Sequence, residues 1–258
     1  PVSAQHGRRR APPQQARDTP RPVLASAAAG VSGFAALVYE VTWTRLLVLI
    51  VGPTSYAFAI MAASFICGIA IGSSLGVQMV RRGSKAAPWL GAMLLATAVS
   101  TLVGAWFTAS YLPLIVASQA AAATAFAPLL FREALAIMIV LLPASISLGA
   151  TFTLALATAS SGIETAARDT ARVYAANTIG AVAGALLAGF FLVPSFGLQA
   201  TFIQTSRVLV AAGVFIAAIA VAHPGQRRLP QHAAIVFAAG SAAVVLTFLA
   251  PQWDRDLI

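Results

Sequence analysis

The sequence predicts an all-α fold, a polytopic bundle of about seven transmembrane helices, with six to eight as the range. Hydrophobic residues make up 59% of the 258 residues and charged residues 9%, and the mean hydropathy is +0.87. Several apolar runs are as long as a helix needs to be to cross the hydrocarbon layer. Most Lys and Arg residues lie between these runs, as in the loops of membrane proteins.

The first half of the chain contains a basic tail and three apolar windows. Residues 1–22 carry five arginines among Pro and Gln, which predicts a disordered cytoplasmic tail that lies against anionic lipid headgroups. Windows at 23–51, 55–80 and 88–110 follow. Gly52 and Pro53 separate the first two, and a basic turn separates the second from the third, namely Arg81, Arg82, Gly83 and Lys85.

The second half contains four further windows and completes a predicted membrane domain over residues 23–250. We expect Pro143 to kink the fourth helix and Pro194 to end the fifth. The stretch 112–131 has two interpretations, an eighth span or a helix on the outer face. Residues 251–258 are expected to begin a C-terminal soluble domain, so that the chain would be a fragment. The four windows are 133–160, 173–195, 201–222 and 231–250.

The distribution of Lys and Arg predicts a cytoplasmic N-terminus in a bacterial-type plasma membrane. With seven spans, twelve of these residues lie on the inner side and two, Arg132 and Arg255, on the outer side. With eight spans the numbers are ten and four. The charge rule therefore favours seven spans.

Composition and motifs argue against most soluble functions. The net charge of +9 resides in tails and loops, so we expect no nucleic-acid partner. The single cysteine, Cys67, lies in an apolar window and is interpreted as a packing residue. The sequence has no phosphate-binding loop and no His or Cys spacing typical of a metal site. We therefore expect no cofactor, no metal and no catalytic residue in this chain.

Two glycine patterns predict close packing of helices. Gly68, Gly72 and Gly76 recur at four-residue spacing, and Gly180 and Gly184 repeat the spacing later in the chain. Such spacing places small residues on one helix face, where a second backbone can approach. A sliding or hinge surface is the functional alternative to static packing.

The strongest candidate for a functional site is the segment from Tyr39 to Arg45, because ionisable residues inside membrane spans usually face protein or water. Glu40 and Arg45 lie five residues apart, which is not a favourable helical pair. We therefore predict that Glu40 contacts Arg207 of the sixth helix. A structural ion pair and a solute-binding site are equally supported interpretations. The candidate substrate-binding residues are Tyr39, Glu40, Trp43, Arg45, Asn177 and Arg207.

Four stretches of the chain resemble one known family. The segment 33–47 (GFAALVYEVTWTRLL) is similar to the first-helix signature of membrane proteins fused to spermidine synthase, also called fused major-facilitator/spermidine-synthase proteins. Further similar stretches follow in the same order, and the similarity covers about residues 26–258. They are 55–58 (SYAF) with 68–73 (GIAIGS), 148–152 (LGATF), 173–181 (VYAANTIGA) with Pro194 and Gly197-Leu198, and Trp253-Asp254.

The resemblance implies a membrane domain similar to half of a major-facilitator transporter. The whole protein would transfer an aminopropyl group to an amine, and this chain would anchor it and translocate or sense a polyamine. Its partners would be the lipid bilayer, a polyamine and a C-terminal aminopropyltransferase domain. The chain departs from the family in three respects. Residues 77–85 contain no acidic residue, position 153 is Thr rather than Pro, and the catalytic positions of the soluble aminopropyltransferase domain are not present in these 258 residues.

Two other functions remain open at this stage. A half-transporter of major-facilitator type would work as a homodimer or a fused pair, and uptake by liposomes would distinguish it. A purely structural anchor would transport nothing and would tolerate neutralisation of Glu40. The resemblance also conflicts with the span count, because seven spans place Ile258 outside, away from a cytosolic aminopropyl donor.

Overall fold

The computed structural model describes residues 21–83, 85–121, 126–159 and 163–221, together with the isolated positions 240, 242 and 245. Within these ranges every element is a helix, and no strand is present. The elements are α1 (Pro22–Val51), α2 (Ser55–Arg81), α3 (Ala86–Ala121), α4 (Phe126–Ala159), α5 (Ile163–Leu187), a π-helical segment (Ala188–Leu192) and α6 (Val193–Val221).

The described part of the chain contains five helical stretches that are long and apolar enough to cross a membrane. The last of them is 56 residues long, from Thr165 to Ala220. It is divided at Gly197, whose backbone is not helical (φ 80°, ψ 174°). The helical class of the prediction is confirmed. The count of seven stays a prediction, because the window 231–250 is described only at Gly240, Ala242 and Val245, which are helical. The predicted tail at residues 1–20 and the predicted domain start at 251–258 lie outside the described residues.

Two predicted boundaries differ from the structure. Residues 112–121 continue α3 and residues 126–131 begin α4, so the described parts of 112–131 are extensions of two long helices, not a separate one. Pro194 does not end a helix, since helical geometry continues from it to Phe196. The break lies at Gly197, because a positive φ is accessible to glycine at little cost.

The helices pack in pairs around a central α1–α4 contact. α2 packs most extensively on α4, α5 on α1, and α3 on both α4 and α6. The close contacts show that α1 and α5 run parallel, as do α2 and α4, whereas Tyr39 and Trp43 of α1 meet Ser206 and Phe202 of α6 in antiparallel order. The bundle therefore consists of a core of α1, α3, α4 and α6 with α2 and α5 attached.

This pattern relates α1–α3 to α4–α6 by an inverted repeat. Exchanging α1 with α4, α2 with α5 and α3 with α6 converts the α1–α5 contact into the α4–α2 contact and leaves α1–α4 and α3–α6 unchanged. The backbone of Arg21, before α1, donates to the carbonyl of Thr158 near the end of α4 (2.9 Å), so α1 and α4 are antiparallel. Repeats of this kind have opposite orientations in the membrane.

The closest backbone contacts obey the same exchange, residue by residue. A Cβ atom at Gly180 of α5 would overlap the carbonyl oxygen of Gly30 in α1, and one at Gly72 of α2 would overlap that of Ile146 in α4. The two contacts are equivalent under the repeat. Adding 116 to Gly30 of α1 gives Ile146 of α4, and adding 108 to Gly72 of α2 gives Gly180 of α5. Two more pairs follow the same offsets, Gly33 on Asn177 with Gly149 on Ile69, and Gly184 on Phe34 with Gly76 on Ala150.

In the described part of the chain the α1–α4 pair lies between α2 and α5, and we call the surface of that pair between α2 and α5 the groove. Neither α2 nor α5 packs extensively on α3, on α6 or on the other. The floor of the groove is therefore the α1–α4 pair. At one end Thr44 of α1 donates to Met61 Sδ of α2 (3.3 Å). At the other end Phe152 of α4 contacts Tyr174 of α5, with ring centroids 6.5 Å apart.

Candidate functional site

Tyr39 and Trp43 are buried in the core between α1 and α6. Both side chains are 1% exposed, and the Tyr39 hydroxyl forms a hydrogen bond with the Ser206 hydroxyl at 2.8 Å. The ring of Phe202 stacks on Tyr39 (6.0 Å between centroids) and meets the Trp43 indole edge-on (5.1 Å). These two predicted binding residues thus fasten α1 to α6, and neither lines the groove.

Glu40 lies on the face of α1 that forms the groove floor. It comes seven residues, about two turns, after Gly33, which packs on α5, and one turn before Thr44, which contacts α2. Its side chain is half-buried. Among the described residues the carboxylate has neither an ion-pair nor a hydrogen-bond partner, while its backbone carbonyl accepts from Thr44 (2.7 Å).

The π-helical segment lies near this carboxylate. α1 contacts the segment directly. Phe34 lies beside Gly184 and the two helices run parallel, so the next turns bring Glu40 to the level of Ala188–Leu192. A π-helical turn widens the helix locally and is often found at functional sites.

The predicted contact between Glu40 and Arg207 is wrong. The ion pair that joins two described residues is Asp169–Arg172 (3.7 Å), and Arg207 Nη1 lies 3.4 Å from Gln204 Oε1. Glu40 and Arg207 nevertheless lie at a similar level along the bundle, because their sequence neighbours Tyr39 and Ser206 do meet. A step of one residue rotates a side chain by about 100° around the helix, so Tyr39 faces α6 and Glu40 faces the groove.

Arg45 and Asn177 occupy different environments. Arg45 is exposed on the outside of α1. Asn177 lies at the α1–α5 contact, where a Cβ atom at Gly33 would overlap its carbonyl and lie 2.8 Å from its side-chain oxygen. The structure therefore brings Asn177 near the groove floor, about two turns from Glu40, and separates Arg45 from both.

No family model matches the chain, and no curated protein or solved structure matches it either. The family named on sequence motifs therefore stays a prediction.

Sequence reasoning missed three residues that define this region, Phe202, Ser206 and Thr101. All three are buried, at 1%, 0% and 0% exposure. Their residue types are common in membrane helices, so composition gives no signal for them. The antiparallel alignment of α1 with α6 would have indicated the first two. No group of three or more His, Cys, Asp or Glu suited to a metal ion exists within the described ranges.

Tyr39→Phe should lower the free energy of unfolding by roughly 1 kcal/mol, because the change removes a buried hydrogen bond and leaves the Ser206 hydroxyl without it. Titration with SDS in mixed micelles measures this energy. Tyr111→Phe is the matched control, since Tyr111 is 45% exposed and contacts Trp106 and Phe107 through its ring. Equal effects of the two substitutions would contradict a stabilising role for the Tyr39 hydroxyl.

Proposed function

We propose that this chain is a membrane-embedded module that binds a small organic cation, of the polyamine class, in the groove at Glu40. One observation carries the proposal. The Glu40 carboxylate is half-buried within a helix long and apolar enough to span a membrane, and it has no cationic partner among the described residues. An anionic group in such a place is costly unless a cation or a proton compensates it. A primary ammonium group supplies both charge and hydrogen-bond donors.

The geometry suits an elongated amine better than a compact ion. Glu40 lies on the groove floor, and Asn177 lies at the α1–α5 contact beside that floor, about two turns away, so separate amino groups of one polyamine have separate polar groups within their span. The aliphatic segments between amino groups match the apolar surface of α1 and α4. The resemblance to membrane-bound aminopropyltransferases favours the same ligand class, with the chain as the anchoring part and catalysis in a C-terminal domain.

Glu40→Gln should weaken spermidine binding roughly 10- to 100-fold, the range expected when a charge-assisted hydrogen bond of about 1.5–3 kcal/mol is lost. The measurement is equilibrium binding of radiolabelled spermidine to the purified chain in nanodiscs. Glu133→Gln is the control, because Glu133 is also a half-buried carboxylate but lies about two turns after the start of α4, away from Glu40 in α1. Unchanged binding by Glu40→Gln, or no binding by the wild-type chain, would contradict the proposal.

A half-transporter is the second candidate, favoured by the inverted repeat. Substrate sites of transporters built from such repeats lie near the bilayer midplane at the junction of the repeats. Here the α1–α4 pair is that junction, and Glu40 belongs to it. Uptake of spermidine into liposomes by the purified chain would support transport. Binding without uptake would support a sensing or anchoring role.

A further inference from the structure

Two fully buried polar atoms lie at the junction of α1, α3 and α6. The indole Nε1 of Trp43 and the hydroxyl of Thr101 have no hydrogen-bond partner in the described part of the protein, although the residues are only 1% and 0% exposed. Leaving such groups unpaired in an apolar interior is costly, so native proteins rarely do so.

Both atoms belong to one small region. The Cζ2 atom of Trp43, on the same edge of the indole as Nε1, lies 3.5 Å from where a Cβ atom of Gly104 would be, and Gly104 is one turn beyond Thr101 on α3. The Thr101 hydroxyl neighbours the phenol of Tyr39. That phenol is bonded to Ser206 of α6. Four polar groups from three helices therefore converge.

Most buried hydroxyls in the described part of the bundle donate to their own helix, and the Thr101 hydroxyl does not. Thr97, one turn earlier on α3, donates to its own helix at Met93 O (2.9 Å), and Thr42 donates to Val38 O (2.6 Å). Such bonds to a preceding carbonyl satisfy a hydroxyl without any tertiary partner. The Thr101 hydroxyl does not form one and instead lies beside the Tyr39 phenol, between the helices.

We propose that a buried water molecule binds here, accepting a hydrogen bond from Trp43 Nε1–H and bonding to Thr101 and to the Tyr39–Ser206 pair. A water molecule both donates and accepts, and buried waters typically make about three hydrogen bonds to otherwise unpaired groups. The water would join α1 and α3 of the first repeat to α6 of the second.

The test uses the full chain in detergent micelles with ¹⁵N-labelled tryptophan. Trp43→Phe assigns the Trp43 indole signal by its disappearance. We expect a cross-peak between that indole N–H and a long-lived water in the wild-type protein, and its loss in Thr101→Val. Thr97→Val is the matched control and should keep the cross-peak, because the Thr97 hydroxyl is satisfied within α3.

Two results would overturn the proposal. A Trp43 indole signal without any water cross-peak would show that the N–H is unbonded or bonded directly to protein. A cross-peak that survives equally in Thr101→Val and Thr97→Val would show that Thr101 does not hold the water. The indole signals of Trp89 and Trp106 report in each variant whether the fold is retained, so that loss of structure cannot imitate loss of water.

Discussion

Gly180→Ala and Gly72→Ala should each destabilise the bundle by roughly 2–3 kcal/mol, the range typical of overpacking a tight interface. The added methyl group would overlap a backbone carbonyl oxygen in each case, that of Gly30 for Gly180 and that of Ile146 for Gly72. A backbone cannot move aside as a flexible side chain can, so the two helices must separate. The free energy of unfolding in mixed micelles measures the effect.

Gly189→Ala is the control for both substitutions. Gly189 lies in the π-helical segment, and a Cβ atom there would meet nothing within 4 Å. We expect a change within about 0.5 kcal/mol. The inverted repeat adds a stricter requirement, that Gly180→Ala and Gly72→Ala have similar effects. A large effect at one position and none at the other would show that the two contacts are not energetically equivalent.

Trp43→Ala should cost about 3 kcal/mol, near the lower end of the range for a buried Trp. The indole fills the space between Phe202 of α6 and Gly104 of α3 and is 1% exposed. Lipid tails are as apolar as a protein core, so the loss comes from packing contacts and from the cavity, and less from transfer out of water.

Trp106→Ala is the control for this substitution, because Trp106 is 39% exposed and its ring contacts only Tyr111 among the described aromatic side chains. We expect a change below about 1 kcal/mol. Thermal unfolding followed by circular dichroism gives a second measure of both variants. Equal losses would mean that Trp43 does not anchor the α1–α3–α6 junction.

The positions of the helices could be predicted from the sequence because apolar runs and basic turns are local signals. The windows 23–51 and 55–80 agree with α1 and α2 within one residue at each end. The ends of α3 and α4 could not be predicted in this way. The stretch 112–121 is itself apolar, so hydropathy does not mark where one helix ends and the next begins, and α3 extends to Ala121 rather than to 110.

The partners of the glycine faces could not be predicted either. Four-residue spacing shows that a helix has a face of small residues, but it does not tell which helix lies against it. In the structure Gly68 packs on Ser145 and Gly180 on Gly30, so each glycine face meets a helix of the other repeat.

At the candidate site, too, the sequence shows a feature of one helix but not which helix that feature faces. A carboxylate inside an apolar run is visible in the sequence, and Glu40 is in fact on the groove face. Whether Glu40 or Tyr39 faces α6 depends on the rotation of α1 about its own axis. No pattern in the segment 39–45 fixes that rotation, because apolar and polar residues alternate there without a helical period.

Two glycines with positive φ bear on insertion into the membrane. One follows α2, and the other precedes most of α6. Gly83 (φ 77°) and Gly197 (φ 80°) occupy equivalent turns of the two repeats, at opposite ends of the bundle. Because of this inverted repeat, the helix arrangement is similar in both orientations of the bundle in the membrane. Three cations, Arg81, Arg82 and Lys85, accompany the first turn, whereas residues 193–200 around the second contain none. Moving those three charges to the second turn would change the predicted count from twelve inside and two outside to nine and five, so it should weaken the preference for a cytoplasmic N-terminus.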